Sequence, residues 1–153
     1  MRRKDREITD RNQIIEVMRK CDVVRLALND GDYPYILPLN FGLHADDNTI
    51  ELYFHGAMEG RKYEIIEKDN RASFEMDCEH VLASDPVKGK CTMNYASVIG
   101  KGHIFFIEGE EKEALLDAIV AQYHPEGFEY NKAAISRTKV YKLVVEEMTG
   151  KVK

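Results

Sequence analysis

The sequence predicts an α+β fold: an antiparallel barrel of six strands with helices at its flanks. Three observations point there. Six alternating or β-rich apolar stretches are bounded by turn residues and mostly joined as hairpins. Helical periodicity appears at three places only and does not alternate strictly with the strands, which argues against a doubly wound sheet. Neither GxGxxG nor the P-loop pattern occurs, so the common nucleotide-binding loops are absent.

Asp10 reads as an N-cap with Gln13 three residues on, and IIEVMRK follows at helical spacing, giving a first helix from about Arg11 to Lys20. DVVRLALNDGDYPYILPLNFGLH reads as two strands meeting at Asp30-Gly31, where glycine supplies positive φ. Pro34 and Pro38 lie in the second of these. Proline cannot donate to a ladder, so that strand is expected at an edge, bulged, or facing something other than a strand. ADDN is the next turn, and TIELYFH the third strand. A second helix is expected from about Glu59 to Lys68, with Tyr63, Ile65 and Ile66 as its apolar stripe. ASFEMDC alternates as the fourth strand, whereas Glu79 to Gly89, with Pro86 and no period, reads as a loop. CTMNYASVIGKGHIFFI reads as one long strand or two, Gly100 and Gly102 marking a bulge or barrel corner. EEKEALLDAIVAQYH is a helix with Leu115, Leu116, Ile119 and Val120 as its buried face, and TKVYKLVVEEM closes the sheet. No repeat, linker or low-complexity segment interrupts the chain, so one domain over residues 1–153 is expected.

The chain has 153 residues, 44% hydrophobic and 32% charged, the composition of a globular protein with a real core. A net charge of −5 gives no bulk attraction to nucleic acid or anionic membranes. No apolar run approaches the ~20 residues that span a bilayer, and the basic start has no apolar segment behind it, so neither membrane insertion nor secretion is expected. Cys21, Cys78 and Cys91 are sparse, odd in number and without metal-ligand spacing. They suit small buried or half-buried thiols in a reducing cytoplasm, with no metal site.

The most informative stretch is LYFHGAMEGRKYEII, where a strand hands over to a helix. Gly56 and Gly60 let the backbone turn or approach a partner closely. Arg61 and Lys62 fall in the first helical turn, where cations oppose the helix dipole unless an anion shares the spot. Free N–H groups, the dipole and both cations would then converge on one phosphate. The plainer reading is a solvated face with Glu64 and Glu67 as partners. Alternation puts Ile50, Leu52 and Phe54 on one face and His55 on the other. A histidine there is either a donor or acid beside the anion, or an ordinary surface or packing residue.

MRRKDREITD, YPYILPLNFG, LYFHGAMEGRK, YASVIGKGHIFFIE and VYKLVVEEMTGK, in this order from Met1 to Lys151, resemble the 5-nitroimidazole-resistance (Nim) branch of the pyridoxamine 5′-phosphate oxidase-like, FMN-binding split-barrel superfamily. The resemblance implies a six-stranded split β-barrel, a homodimer, and FMN in grooves at the subunit interface. It implies phosphate contacts from His55, Gly56, Ala57, Gly60, Arg61 and Lys62, with Met58 and Glu59 in the same loop. It places Leu37, Pro38, Leu39 and Asn40 along the isoalloxazine, and Tyr95, Ser97 and Val98 on a strand that often serves the partner subunit. For these last three, barrel packing is the alternative. His55 matches a histidine near the flavin and substrate in Nim-type members, which gives it a catalytic role. The oxidases proper usually have a small hydroxyl residue there and a longer C-terminal extension, so pyridoxamine phosphate is not the expected substrate. The implied activity is an FMN-dependent oxidoreductase, a nitroreductase of small nitroaromatic compounds. The alternative is a flavin-binding carrier, sensor or sequestering protein without turnover. Haem ranks third, because His44, His80, His103 and His124 are scattered and read as surface or loop residues.

Overall fold

The computed structural model describes residues 3–153; Met1 and Arg2, the first residues of the basic N-terminal segment, lie outside the described residues. After a short 3-10 turn at Lys4–Arg6, β1 (Glu7–Ile8) leads to α1 (Arg11–Lys20). The Asp10 carboxylate accepts the Gln13 N–H at 2.9 Å, the N-cap expected there, and Ile14, Ile15, Val17 and Met18 are buried beneath the helix. β2 (Val24–Asp30) and β3 (Tyr33–Leu39) form the anticipated hairpin, with Gly31 at φ +70°. β3 is one edge of the sheet, as its two prolines require.

The proline strand stops at Asn40, and β4 (Gly42–Ala45) begins separately. Phe41, fully buried, makes the break, its N–H donating to Tyr123 Oη at 3.0 Å. β5 (Ile50–Gly56) pairs with β4 and leads to α2 (Arg61–Lys68). The helix starts two residues later than Glu59, because Gly60, at φ +154°, holds the N-cap position.

β6 (Arg71–Asp85) and β7 (Lys90–Ile107) reduce the loop expected from Glu79 to Gly89 to a turn over 86–89, with the rest in strand. Past a register shift between Cys78 and Val81, the ladder resumes as Val81–Asn94 through Asp85–Lys90. Val81 and Leu82 are 58% and 63% exposed, so this arm has no buried face and hence no period to read. α3 (Glu111–Tyr123) buries Leu116 and Ile119, with Leu115 and Val120 partly buried beside them. A second 3-10 segment, Lys132–Arg137, precedes β8 (Lys139–Val152).

The sheet order is β3-β2-β6-β7-β8-β5-β4, with β1 added on β8. Eight strands replace the six expected because the proline strand is split and β1 is too short to show a pattern. The antiparallel, helix-flanked barrel itself is as predicted. Gly102 sits at the β7–β8 bulge, where a Cβ would lie 1.9 Å from the Val144 carbonyl oxygen. The main core fills the barrel, and a second cluster of Tyr53, Ile107, Leu116, Ile119 and Val140 lies under α3. Cys21 and Cys78 are buried, but Cys91, on the exposed arm, is not. Among the described residues, no helix is long and apolar enough to cross a membrane.

Candidate functional site

Gly56 ends β5 opposite Lys139 of β8, and the chain turns through exposed Ala57, Met58 and Glu59 to Gly60 and α2. A Cβ on Gly56 would lie 2.6 Å from Tyr63 Oη and 2.8 Å from Lys62 Nζ, so only glycine leaves room for both groups. Arg61 and Lys62 part company here. Arg61 is ion-paired with Asp30 at the β2–β3 turn, and its guanidinium lies over the Tyr35 ring at 5.7 Å. Lys62 folds back over the barrel end, its ammonium 5.0 Å from the Tyr63 ring centre and 5.9 Å from that of Tyr141. Burial pushes the Lys62 pKa down.

Lys139 joins Lys62 from the neighbouring strand, 4.9 Å from the Tyr63 ring centre and 4.5 Å from that of Phe106. Among the described residues, neither lysine pairs with a carboxylate. Beneath them, the hydroxyls of Tyr63 (4% exposed) and Tyr141 (0%) are buried without a hydrogen-bond partner. Burial drives both phenol pKa values upward, so each hydroxyl keeps its proton and remains a donor. An orphaned buried hydroxyl costs about 1–3 kcal/mol. Two of them beneath two unpaired ammonium groups form a donor-rich end that matches an anion. The sequence reading did not place Lys139, Tyr63 and Tyr141 together here: one begins a strand whose register is not written in its own residues, and the others look like core.

His55 leaves the opposite face of β5, as alternation requires, and borders a cavity of about 260 Å³. Leu116, Ile119 and Val120 of α3, with Ile135 and Thr138, supply most of its wall. His55 is exposed while bordering this cavity. Burial first, and the Lys62 charge second, hold its pKa below the ordinary value, which favours the neutral ring. A larger depression of about 450 Å³ lies elsewhere, among Asn29, Arg71, Lys101, Gly102, His103 and Glu146. Its charges are already matched: Arg71 to Asp69 at 2.7 Å, Lys101 to Glu147 at 3.0 Å, His103 to Glu146 at 2.6 Å.

The other predicted residues do not gather at the junction within one chain. Leu37 and Leu39 of β3 are partly buried against the main core, while Pro38 and Asn40 face outward along the free edge. Val98 is fully buried in the barrel. Tyr95, beneath the Lys151 ammonium at 5.0 Å, and Ser97 lie near the start of β7, whereas Ile107, at its far end, pairs with Val140 beside the junction. On the order of 40 Å of extended strand separates Tyr95 from that end.

The fold recurs in solved structures. A candidate 5-nitroimidazole antibiotic resistance protein from Bacteroides thetaiotaomicron is 32% identical, with a TM-score of 0.81 over 95% of this chain and 86% of that one. An FAD- and haem-binding protein from Mycobacterium smegmatis is 18% identical, with a TM-score of 0.82 over 97% and 73% of the two chains. An FAD-binding protein from Mesorhizobium loti is 19% identical, with a TM-score of 0.67 over 97% of each. No curated protein matches the chain. The sequence profile of the pyridoxamine 5′-phosphate oxidase family matches residues 10–152, and with the Bacteroides relative this makes the protein a member of that family, on its Nim-like branch.

Proposed function

We propose that this protein binds FMN as a homodimer and works as an FMN-dependent oxidoreductase, reducing small nitroaromatic compounds. The observation that carries the reading is the Lys62 ammonium, without an acidic partner, lying over Gly56 at the open N-terminus of α2. Family membership and the Bacteroides relative make a flavin the group to test and a nitro compound the substrate to try. A second copy is part of the proposal for two reasons. Tyr95 and Ser97 are remote from the junction of their own chain, and Ile36, Val81, Leu82, Met93 and Ile99 leave apolar surface that a partner would cover. The free thiols accompany a cytoplasmic location.

Bound FMN would supply the electron or hydride transfer. The chain's own residues bind and orient. Lys62 neutralises the phosphate, Gly56 and Gly60 admit it, and the edge of β3 from Leu37 to Asn40 offers a surface for the ring. His55, with its lowered pKa favouring the neutral ring, can accept a hydrogen bond from the substrate through one nitrogen or donate one through the other, and can pass a proton only as the imidazolium. The test is anaerobic: purified FMN-loaded protein, chemically reduced, is mixed with a 5-nitroimidazole while flavin reoxidation and nitro absorbance are followed. Stoichiometric reoxidation with loss of the nitro band is expected. A flavin that stays reduced would leave the non-catalytic carrier or sensor reading in its place.

A further inference from the structure

The end of α1 and the root of the β6–β7 arm meet residue for residue. Lys20 Nζ pairs with the Glu79 carboxylate at 2.7 Å, and the residues beside them, Cys21 and Cys78, put both thiols on one acceptor. Cys21 Sγ lies 3.3 Å, and Cys78 Sγ 3.9 Å, from the Val17 carbonyl oxygen. We propose that these two thiols are an oxidation site: hydrogen peroxide joins them in a disulfide that staples the end of α1 to the root of the arm. The inference stands apart from the flavin reading and uses none of its residues.

Both thiols are buried, and burial raises both pKa values. The neighbouring Cys78 is the next cause of the rise in Cys21, so the two side chains face one another. Each keeps its proton at neutral pH, which makes the pair slow to react but not inaccessible. Cys78, not Cys21, lines a hollow of about 320 Å³ with Lys20, Arg25, Glu79 and His80, and the Lys20 ammonium favours its thiolate. The backbone can give at the same place. The register of β6 shifts after Cys78, and Glu79 holds φ +57°, the one non-glycine residue at positive φ among the described residues. Peroxide entering the hollow takes the Cys78 thiol to the sulfenic acid and leaves as water. The Cys21 sulfur then attacks the Cys78 sulfur, and the hydroxyl departs as a second water. Two thiols lose two protons and two electrons, and one peroxide becomes two waters.

The experiment treats reduced, full-length Cys91→Ser protein, which lacks the exposed third thiol, with graded hydrogen peroxide. Remaining thiols are alkylated in denaturant, and intact mass and linked peptides are measured. A loss of two hydrogens is expected, with both cysteines protected from alkylation, a Cys21–Cys78 peptide pair, and reversal by dithiothreitol. The oxidised protein should melt about 5 °C or more above the reduced one, because the bond closes a long loop of the unfolded chain. In Cys21→Ser the Cys78 sulfenic acid should persist and be trapped by dimedone, and in Cys78→Ser oxidation at Cys21 should slow about tenfold or more. The wild-type and Cys91→Ser results decide the case without either core variant. Absence of the linked peptide at peroxide levels that oxidise Cys91 in wild type overturns the inference, as does a link that forms only in urea. A link that leaves the melting temperature unchanged overturns the staple, and dimedone capture at Cys21 in place of Cys78 overturns entry through the hollow.

Discussion

Two lysine-bearing regions of this molecule are built on opposite plans. In the depression beside the β7–β8 bulge, Arg71, Lys101 and His103 each meet a carboxylate. At the β5–α2 junction, Lys62 and Lys139 meet only aromatic rings and a pair of orphaned hydroxyls. Matched surface pairs contribute between zero and about 1 kcal/mol each and ask for nothing further. Unmatched cations over unsatisfied donors are an unfavourable arrangement that a ligand relieves. The proposed function therefore takes the junction, rather than the matched depression, as the place where a ligand changes most.

Glycine substitutions break this comparison most sharply. Gly102 lines the matched depression, and its added Cβ would meet backbone at 1.9 Å, which no rotamer change relieves. Gly102→Ala should destabilise the fold by about 3 kcal/mol or more, read by urea denaturation, with flavin affinity unaltered in whatever remains folded. Gly56→Ala meets a tyrosine hydroxyl and the tip of a flexible lysine. Its stability loss should be smaller, about 1–2 kcal/mol, but FMN affinity should fall about tenfold or more. Equal losses of stability, with binding untouched in both, would remove the distinction between the two regions.

Local signals in the sequence carried much of the architecture. The Asp10 cap, the Asp30-Gly31 turn, the edge prolines and the α3 stripe each name their own structure. What escaped was non-local or unpatterned. The β6–β7 arm is solvated on both faces, so its strands leave no amphipathic trace. At the junction, the proximity of Gly56 and Lys62 was legible because they share one short segment. The Arg61 and Lys62 side chains lie on different neighbours because successive helical residues point about 100° apart. Lys139 reaches the junction only through the pairing of β5 with β8, a register that no single segment specifies.

The orphaned hydroxyls sharpen the comparison at a smaller scale. Tyr141→Phe removes a buried donor with no partner and keeps the ring that packs on Phe54 at 5.2 Å. The flavin-free protein should gain about 1 kcal/mol, seen as a rise in the urea midpoint at constant slope. Lys101→Met, in the matched hollow, should change stability by no more than about 1 kcal/mol and should not affect FMN. A stability loss in Tyr141→Phe would mean that its hydroxyl already has a partner, and the junction would lose part of its claim to be unsatisfied.

The smallest expected effect is the titration of His55. Its pKa is lowered in the folded protein, by burial and then by Lys62, while the unfolded chain keeps the ordinary value near 6.5. Between the two values the unfolded state binds more protons, so stability rises with pH across that window and is lost as pH falls through it. The imidazole is partly open to solvent, so the penalty is screened, and the acid-side drop in Tm should be no more than about 2 °C. His55→Asn should flatten that step. With Lys62→Met the step should shrink but persist, since burial is the larger cause and the ammonium the lesser. Disappearance of the step in Lys62→Met alone would reverse that order and make the Lys62 charge the dominant influence on His55.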